Sequence, residues 1–287
     1  GDTTYQYIKG NQIQARRRGI FFNFFETGSS SYYIENNKIT AIDESNEVEW
    51  DGIVVSSQEV PSYTSNNFID GQATTNPSQG LEIWSNEPIN ITFSQNDSVR
   101  NVDYGIFVNN YEGYNTNASD GTYAQIRGSD IQINSGGIGL YVHDHEQSLH
   151  KRVQVELLDD NNISANGGRG IVVEGDSSYL FTVGLSTNAT IQNAEYGLVA
   201  DSGAVVAVDY IEFSSNDTAI LADYNAHISI EQSNIVNNDF GVVNRSNYRV
   251  HAAANWWGDA SGPSGEGSGI GDAVTDYVEY CPWLDGE

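Results

Sequence analysis

The sequence of 287 residues predicts an all-β solenoid, and three observations carry that prediction. A small residue followed by an aliphatic one recurs at Gly19-Ile20, Gly52-Ile53, Gly80-Leu81, Gly105-Ile106, Gly139-Leu140, Gly170-Ile171, Gly197-Leu198, Ala219-Ile220 and Gly241-Val242. Successive spacings are 33, 28, 25, 34, 31, 27, 22 and 22 residues, so the unit is the shortest and the longer intervals carry loop insertions. Alternating β-formers beside Asn-rich turns accompany it, as in Asp130-Ile131-Gln132-Ile133-Asn134, Val153-Gln154-Val155-Glu156-Leu157 and His227-Ile228-Ser229-Ile230-Glu231. No segment carries a 3.6-residue period. A 22-residue unit holds about three short strands and three turns, too little for a βαβ unit and right for one coil. About nine to ten coils are expected.

Taken in chain order, residues 5–15 match residues 31–41 in Tyr, Ile, Asn, Ile and Ala at equivalent positions, so the first coil begins at once. Its open edge needs cover, from upstream residues or from a neighbouring molecule. In each Gly-aliphatic strand the aliphatic residue points inward, and alternation puts Phe21, Val54, Phe107, Tyr141, Val172, Val199, Leu221 and Val243 outside, with Glu82 the one polar exception. Gln154, Glu156, Ser229 and Glu231 make another lateral sheet polar. The apolar strip is expected to be buried in a homo-oligomer or filament, or partly under the tail from residue 264 on. Turn Asn residues are expected to stack into hydrogen-bond ladders. Residues 1–254 form the solenoid and residues 255–287 a closing segment, in which Trp256, Trp257 and Trp283 cover the core end.

Composition narrows the function. With 39 acidic and 12 basic residues, a net charge of −27 excludes nucleic-acid binding through a basic face. Only three cations are Lys, which together with the charge points to a salt-rich habitat, where screening relieves self-repulsion. One Cys excludes a disulfide scaffold and a zinc ribbon. No apolar run approaches the roughly 20 residues a transmembrane helix needs. The chain starts at Gly1 and has no Met, as expected of a mature form or an excised piece. Sequons at Asn90, Asn96, Asn117, Asn162, Asn188, Asn216 and Asn244 are candidate glycosylation sites of an extracellular or cell-surface protein.

Through the Gly-aliphatic strands, the Asn turns and the segment Asn255-Trp256-Trp257-Gly258-Asp259-Ala260-Ser261-Gly262-Pro263, the chain resembles the right-handed parallel β-helix proteins of the pectin-lyase-like superfamily. The closing pattern is similar to that of extracellular β-helix proteins of archaea and bacteria. The resemblance implies a right-handed helix, and for the family's enzymes cleavage of acidic polysaccharides with clustered carboxylates, calcium or a basic residue. The Asn-Thr-Asp, His-Gly and Arg-Ile-Lys signatures of polygalacturonases are absent.

The densest chemical cluster is His143-Asp144-His145-Glu146. Two His one residue apart could hold a cation with Asp144 or Glu146, or the segment could be a solvated insertion; no cofactor is otherwise implied. The insertion of the preceding coil brings Tyr111, Tyr114 and Tyr123, and insertions of successive coils should stack into one Tyr, His and carboxylate surface suited to a glycan. Asp159-Asp160 reads as an Asn-rich turn, Arg16-Arg17-Arg18 as a solvated turn or a contact to another subunit, residues 265–271 as a flexible loop, and Cys281 as buried or as an intermolecular disulfide partner. The expected protein is non-enzymatic, with a structural, adhesive or assembly role. The alternatives are a polysaccharide lyase or glycoside hydrolase working from residues 109–151, and a viral fibre or spike.

Overall fold

The computed structural model describes residues 5–23, 31–42, 49–56, 61–72, 77–85, 90–110, 121–144, 152–183 and 188–286. They form an all-β parallel β-helix with three walls. Eleven strands stack in the first wall, from Tyr5–Lys9 to Val278–Glu279. The second wall starts with Gln12–Ala15 and the third with Arg18–Asn23; in two coils one strand, Ser98–Asn110 or Asp130–His143, runs through both. Every described pairing is parallel.

Register follows the repeat. Ile20, Ile53, Leu81, Ile106, Leu140, Ile171, Leu198, Ile220 and Val242 are successive Cα partners down the third wall. All nine are buried in one core with the inward residues of the other walls. The equivalence of residues 5–15 with 31–41 is also met, with Ile8 on Ile34 and Ala15 on Ala41.

The recurring glycine has a steric cause. A Cβ on Gly105 would lie 2.3 Å from the carbonyl oxygen of Gly139 and 2.4 Å from Ile131. Coils approach so closely there that almost no side chain fits, while the next residue must fill the core.

Corner residues make the ladders. Asn36, Asn66 and Asn96 turn the chain with positive φ, and the residue after each points inward. Asn11 donates to Asn37, Asn37 to Asn67, and Asn67 to Asp97, each through its backbone N–H and its carboxamide. A second ladder at another corner runs from Asn216 to Asn238 to Asp272. Stacked amides satisfy buried donors that the turn would otherwise orphan.

The closing segment is itself a coil. Gly271–Val274 and Val278–Glu279 extend the third and first walls. Trp257 is fully buried in the core, Trp283 packs half-buried against it over Gly262, and Trp256 bridges to Asn234 through the backbone. Residues 264–286 therefore close the end of the helix and leave the outer strip of the third wall uncovered by the tail. Residues 265–271, expected to be a flexible loop, are held by hydrogen bonds such as Gly269 N–H to the Pro263 carbonyl, 2.9 Å. Cys281 is exposed and free, so the buried reading does not hold.

Candidate functional site

The outer face of the third wall concentrates the chemistry. Two columns run along it, because both the residue before the small one and the residue two after it point away from the core. The first holds Arg18, Asp51, Gln79, Tyr104, Ile138, Arg169, Tyr196, Thr218 and Phe240; the second is the predicted strip with Glu82 in it. Where they touch, Ile138, Val172, Val199 and Leu221 form a hydrophobic cluster separate from the core, bordered by Tyr104, Tyr141, Tyr196 and Val243.

This corrects the expectation that the aliphatics of the strip need another molecule or the tail to bury them. Val54 is fully buried and Val172, Val199 and Leu221 nearly so within one chain, while Phe21 is exposed. The neighbouring column closes over the aliphatics, and what reaches the surface is mainly aromatic. The rings of Phe107 and Tyr141 stack at 5.0 Å and those of Tyr104 and Tyr141 at 6.0 Å, so they cover each other's faces and present edges outward.

At the N-terminal end the wall is charged. Arg18 Nε donates to Asp51 Oδ2 at 2.7 Å, with its guanidinium 4.8 Å from the Phe21 ring centroid; Gln79 donates to Glu49 at 2.7 Å. Glu82 accepts from Asn109 Nδ2 at 3.2 Å. Burial pushes the Glu82 carboxyl up to about 7, against the Asn109 hydrogen bond; Asp51 and Glu49 raise it further and Arg18 opposes them. The middle of the wall carries Tyr141, whose hydroxyl donates to Glu174 Oε2 at 2.5 Å, and His143, stacked on Tyr141 at 5.1 Å with Nδ1 3.7 Å from the same carboxylate. Burial first, then Glu174, holds the Tyr141 phenol well above its ordinary range.

The expected His-Asp constellation is divided. Asp144 is buried and accepts from Asn110 Nδ2 at 2.6 Å, whereas His143 lies with the outer aromatic column. Consecutive strand residues point to opposite sides, so these two do not converge on a cation. No three His, Cys, Asp or Glu gather as a metal set among the described residues. His145, Glu146, Tyr111, Tyr114 and Asn117 lie outside those residues. Tyr123 does not join His143; it sits around the corner on the first wall, bonded to Glu156 and pushed up to about 12 by burial and that bond. Asp159 pairs with Arg127 at 2.8 Å and Asp160 takes a left-handed corner, a structural arrangement.

Among the sequons, Asn216 is buried in a ladder with its amide committed, which removes it as a glycan acceptor. Asn162 and Asn244 spend their amides on Asp130 and on the Tyr248 and Tyr277 carbonyls. Asn96 and Asn188 are exposed, and the side chain of Asn90 lies outside the described set.

In the sequence Glu82 shows only as a break in an apolar column, and that break is the signal of a perturbed carboxyl. Glu174 and Asn109 had no such signal, since each is one polar residue at a strand end. The chain matches no protein-family model, no curated protein and no solved structure. The fold and this wall define a parallel β-helix protein with an aromatic outer face.

Proposed function

We propose that the chain is a non-enzymatic extracellular or cell-surface β-helix protein with an adhesive or assembly role, whose contact surface is the outer face of the third wall. One observation carries the reading: a hydrophobic cluster lies outside the core, bordered by half-buried Tyr104, Tyr141 and Tyr196, with Phe107 stacked on Tyr141 and Phe240 exposed on the same wall. Aromatic side chains concentrate at interfaces because each buries large area with few rotors. The resemblance to the pectin-lyase-like superfamily, and with it a right-handed coil, belongs to the same proposal. Light scattering of the wild type against Phe107→Ser with Tyr196→Ser tests it. The wild type should form homo-oligomers or filaments and the variant folded monomers; a wild type monomeric throughout would overturn the reading.

A second reading, a polysaccharide lyase or glycoside hydrolase, is favoured by Glu82, a carboxyl near neutrality beside Asp51 and Glu49. Glu174 cannot be its catalytic partner. Three coils of about 4.8 Å separate them, about 14 Å, beyond the roughly 9.5 Å limit of an inverting pair. Polysaccharide turnover by the wild type, abolished by Glu82→Gln, would establish this reading in place of the first.

A further inference from the structure

A second surface lies on the first wall, in a different sheet from the third-wall site. Its outward positions near the C-terminal end are Val205 and Ala207, then His227 and Ser229, then Arg249 and His251. Small side chains on adjacent coils leave a shallow groove of about 260 Å³, with Tyr248 at its rim. The rim is built. Tyr248 packs on His227 at 3.9 Å between ring centroids, the Arg249 guanidinium lies 5.8 Å from the Tyr277 ring centroid, and His251 Nδ1 is 2.8 Å from Glu279 Oε2.

The charge distribution says what it takes. Residues 188–286 contain 14 Asp or Glu against two Arg (Arg245 and Arg249) and two His (His227 and His251). Three of those four nitrogen-bearing side chains line this one groove. On a surface otherwise negative, they mark the place where an anion meets most donors, over a floor apolar enough for a ring, while Asp209 and Glu231 stand two positions further along the same strands, at the end away from Arg249.

We propose that this groove is a non-catalytic binding site for an anionic sugar residue, its ring over Val205 and Ala207 and its sulfate or carboxylate on Arg249. The volume matches one or two rings. The carboxylate of Glu279 anchors His251 and disfavours a second negative group at that side, so the ligand carries its charge at one end. The site is independent of the proposed role of the third wall.

The test is titration of the whole protein, followed by nuclear magnetic resonance or calorimetry, with glucose 6-sulfate, glucuronate and uncharged glucose, in dilute and in concentrated potassium chloride. At least one of the two anions should bind more than about tenfold tighter than glucose, more weakly as salt rises. The two anion arms tell sulfate from carboxylate recognition. Arg249→Gln should weaken that binding about tenfold, and Arg245→Gln, outside the groove, should leave it unchanged. Equal binding of all three sugars, no binding of either anion, or an unchanged response in Arg249→Gln would overturn the proposal. Phe107→Ser with Tyr196→Ser should leave the titration unaffected, which separates this site's failure from that of the third wall.

Discussion

Asp97 and Asp272 end the two Asn ladders, and their chemistry explains why. Each Asn in a ladder passes its N–H groups to the carboxamide oxygen of the next coil, so the last member receives donors. Asp97 takes both Asn67 donors on one oxygen and the Thr64 and Ser94 hydroxyls on the other. Burial nevertheless outweighs these bonds and raises its carboxyl above the ordinary value of 3.8. A raised folded value means that protons bind the native state more tightly. The stabilisation is therefore complete below the unfolded pKa and disappears as pH rises through the folded one. Asp97→Asn should gain stability relative to wild type as pH rises through that window, measured by urea melts at several pH values. Asp97→Ala, which strands the Asn67 amide, should lose about 2–4 kcal/mol. The same logic applies to Glu82, raised from 4.5 to about 7. Wild-type stability should fall between about pH 4.5 and pH 8, by on the order of 3 kcal/mol at about 1.4 kcal/mol per pKa unit, and Glu82→Gln should lack that fall.

At the scale of the strand, the small residue opening each third-wall segment sets the distance between coils. Gly105→Ala would force a methyl against the Gly139 carbonyl and Ile131, neither of which can withdraw without moving a whole coil. A loss of more than about 3 kcal/mol is expected in thermal or urea melts. Gly10→Ala is the control, since nothing lies within 4 Å of its Cβ and only its positive φ opposes the change; about 1 kcal/mol should be lost. The strand is also where the sequence becomes hard to read. Period-two alternation identifies the column of Phe107 and Tyr141 as outward, because each follows an aliphatic core residue. It does not identify Tyr104, Ile138 and Tyr196 as a second outward column, because the backbone bends at the intervening Gly and the alternation restarts. Without that column the aliphatics of the strip look exposed, whereas Val172 and Val199 are covered by their neighbours.

For the whole molecule, the stacked coils are legible because a residue that must be small beside one that must be apolar leaves a mark every 22 residues or more. The inner column, the ladders and the pairing of residues 5–15 with 31–41 all follow from it. The candidate site is less legible, since Glu82 meets Asn109 and Tyr141 meets Glu174 across coils, at separations of 27 and 33 residues. Nothing in one coil announces its partner in the next. Charge acts on the molecule as a unit. With −27 spread over a rod and surface pairs such as Lys9–Glu35 and Arg100–Asp130 contributing little, screening should matter more than pairing. The melting temperature should rise between about 0.1 M and 2 M potassium chloride; an unchanged or lower value would contradict a salt-adapted fold.

The role proposed for this protein stands or falls with the third wall as a contact surface. Multi-angle light scattering in concentrated salt, comparing wild type with Phe107→Ser and Tyr196→Ser together, measures it most directly, with circular dichroism confirming that both proteins are folded. The wild type should have a mass at least twice the 31.4 kDa of one chain, and the variant the mass of a single chain. A wild-type mass of one chain at every concentration, or a variant that assembles as the wild type does, would contradict that role.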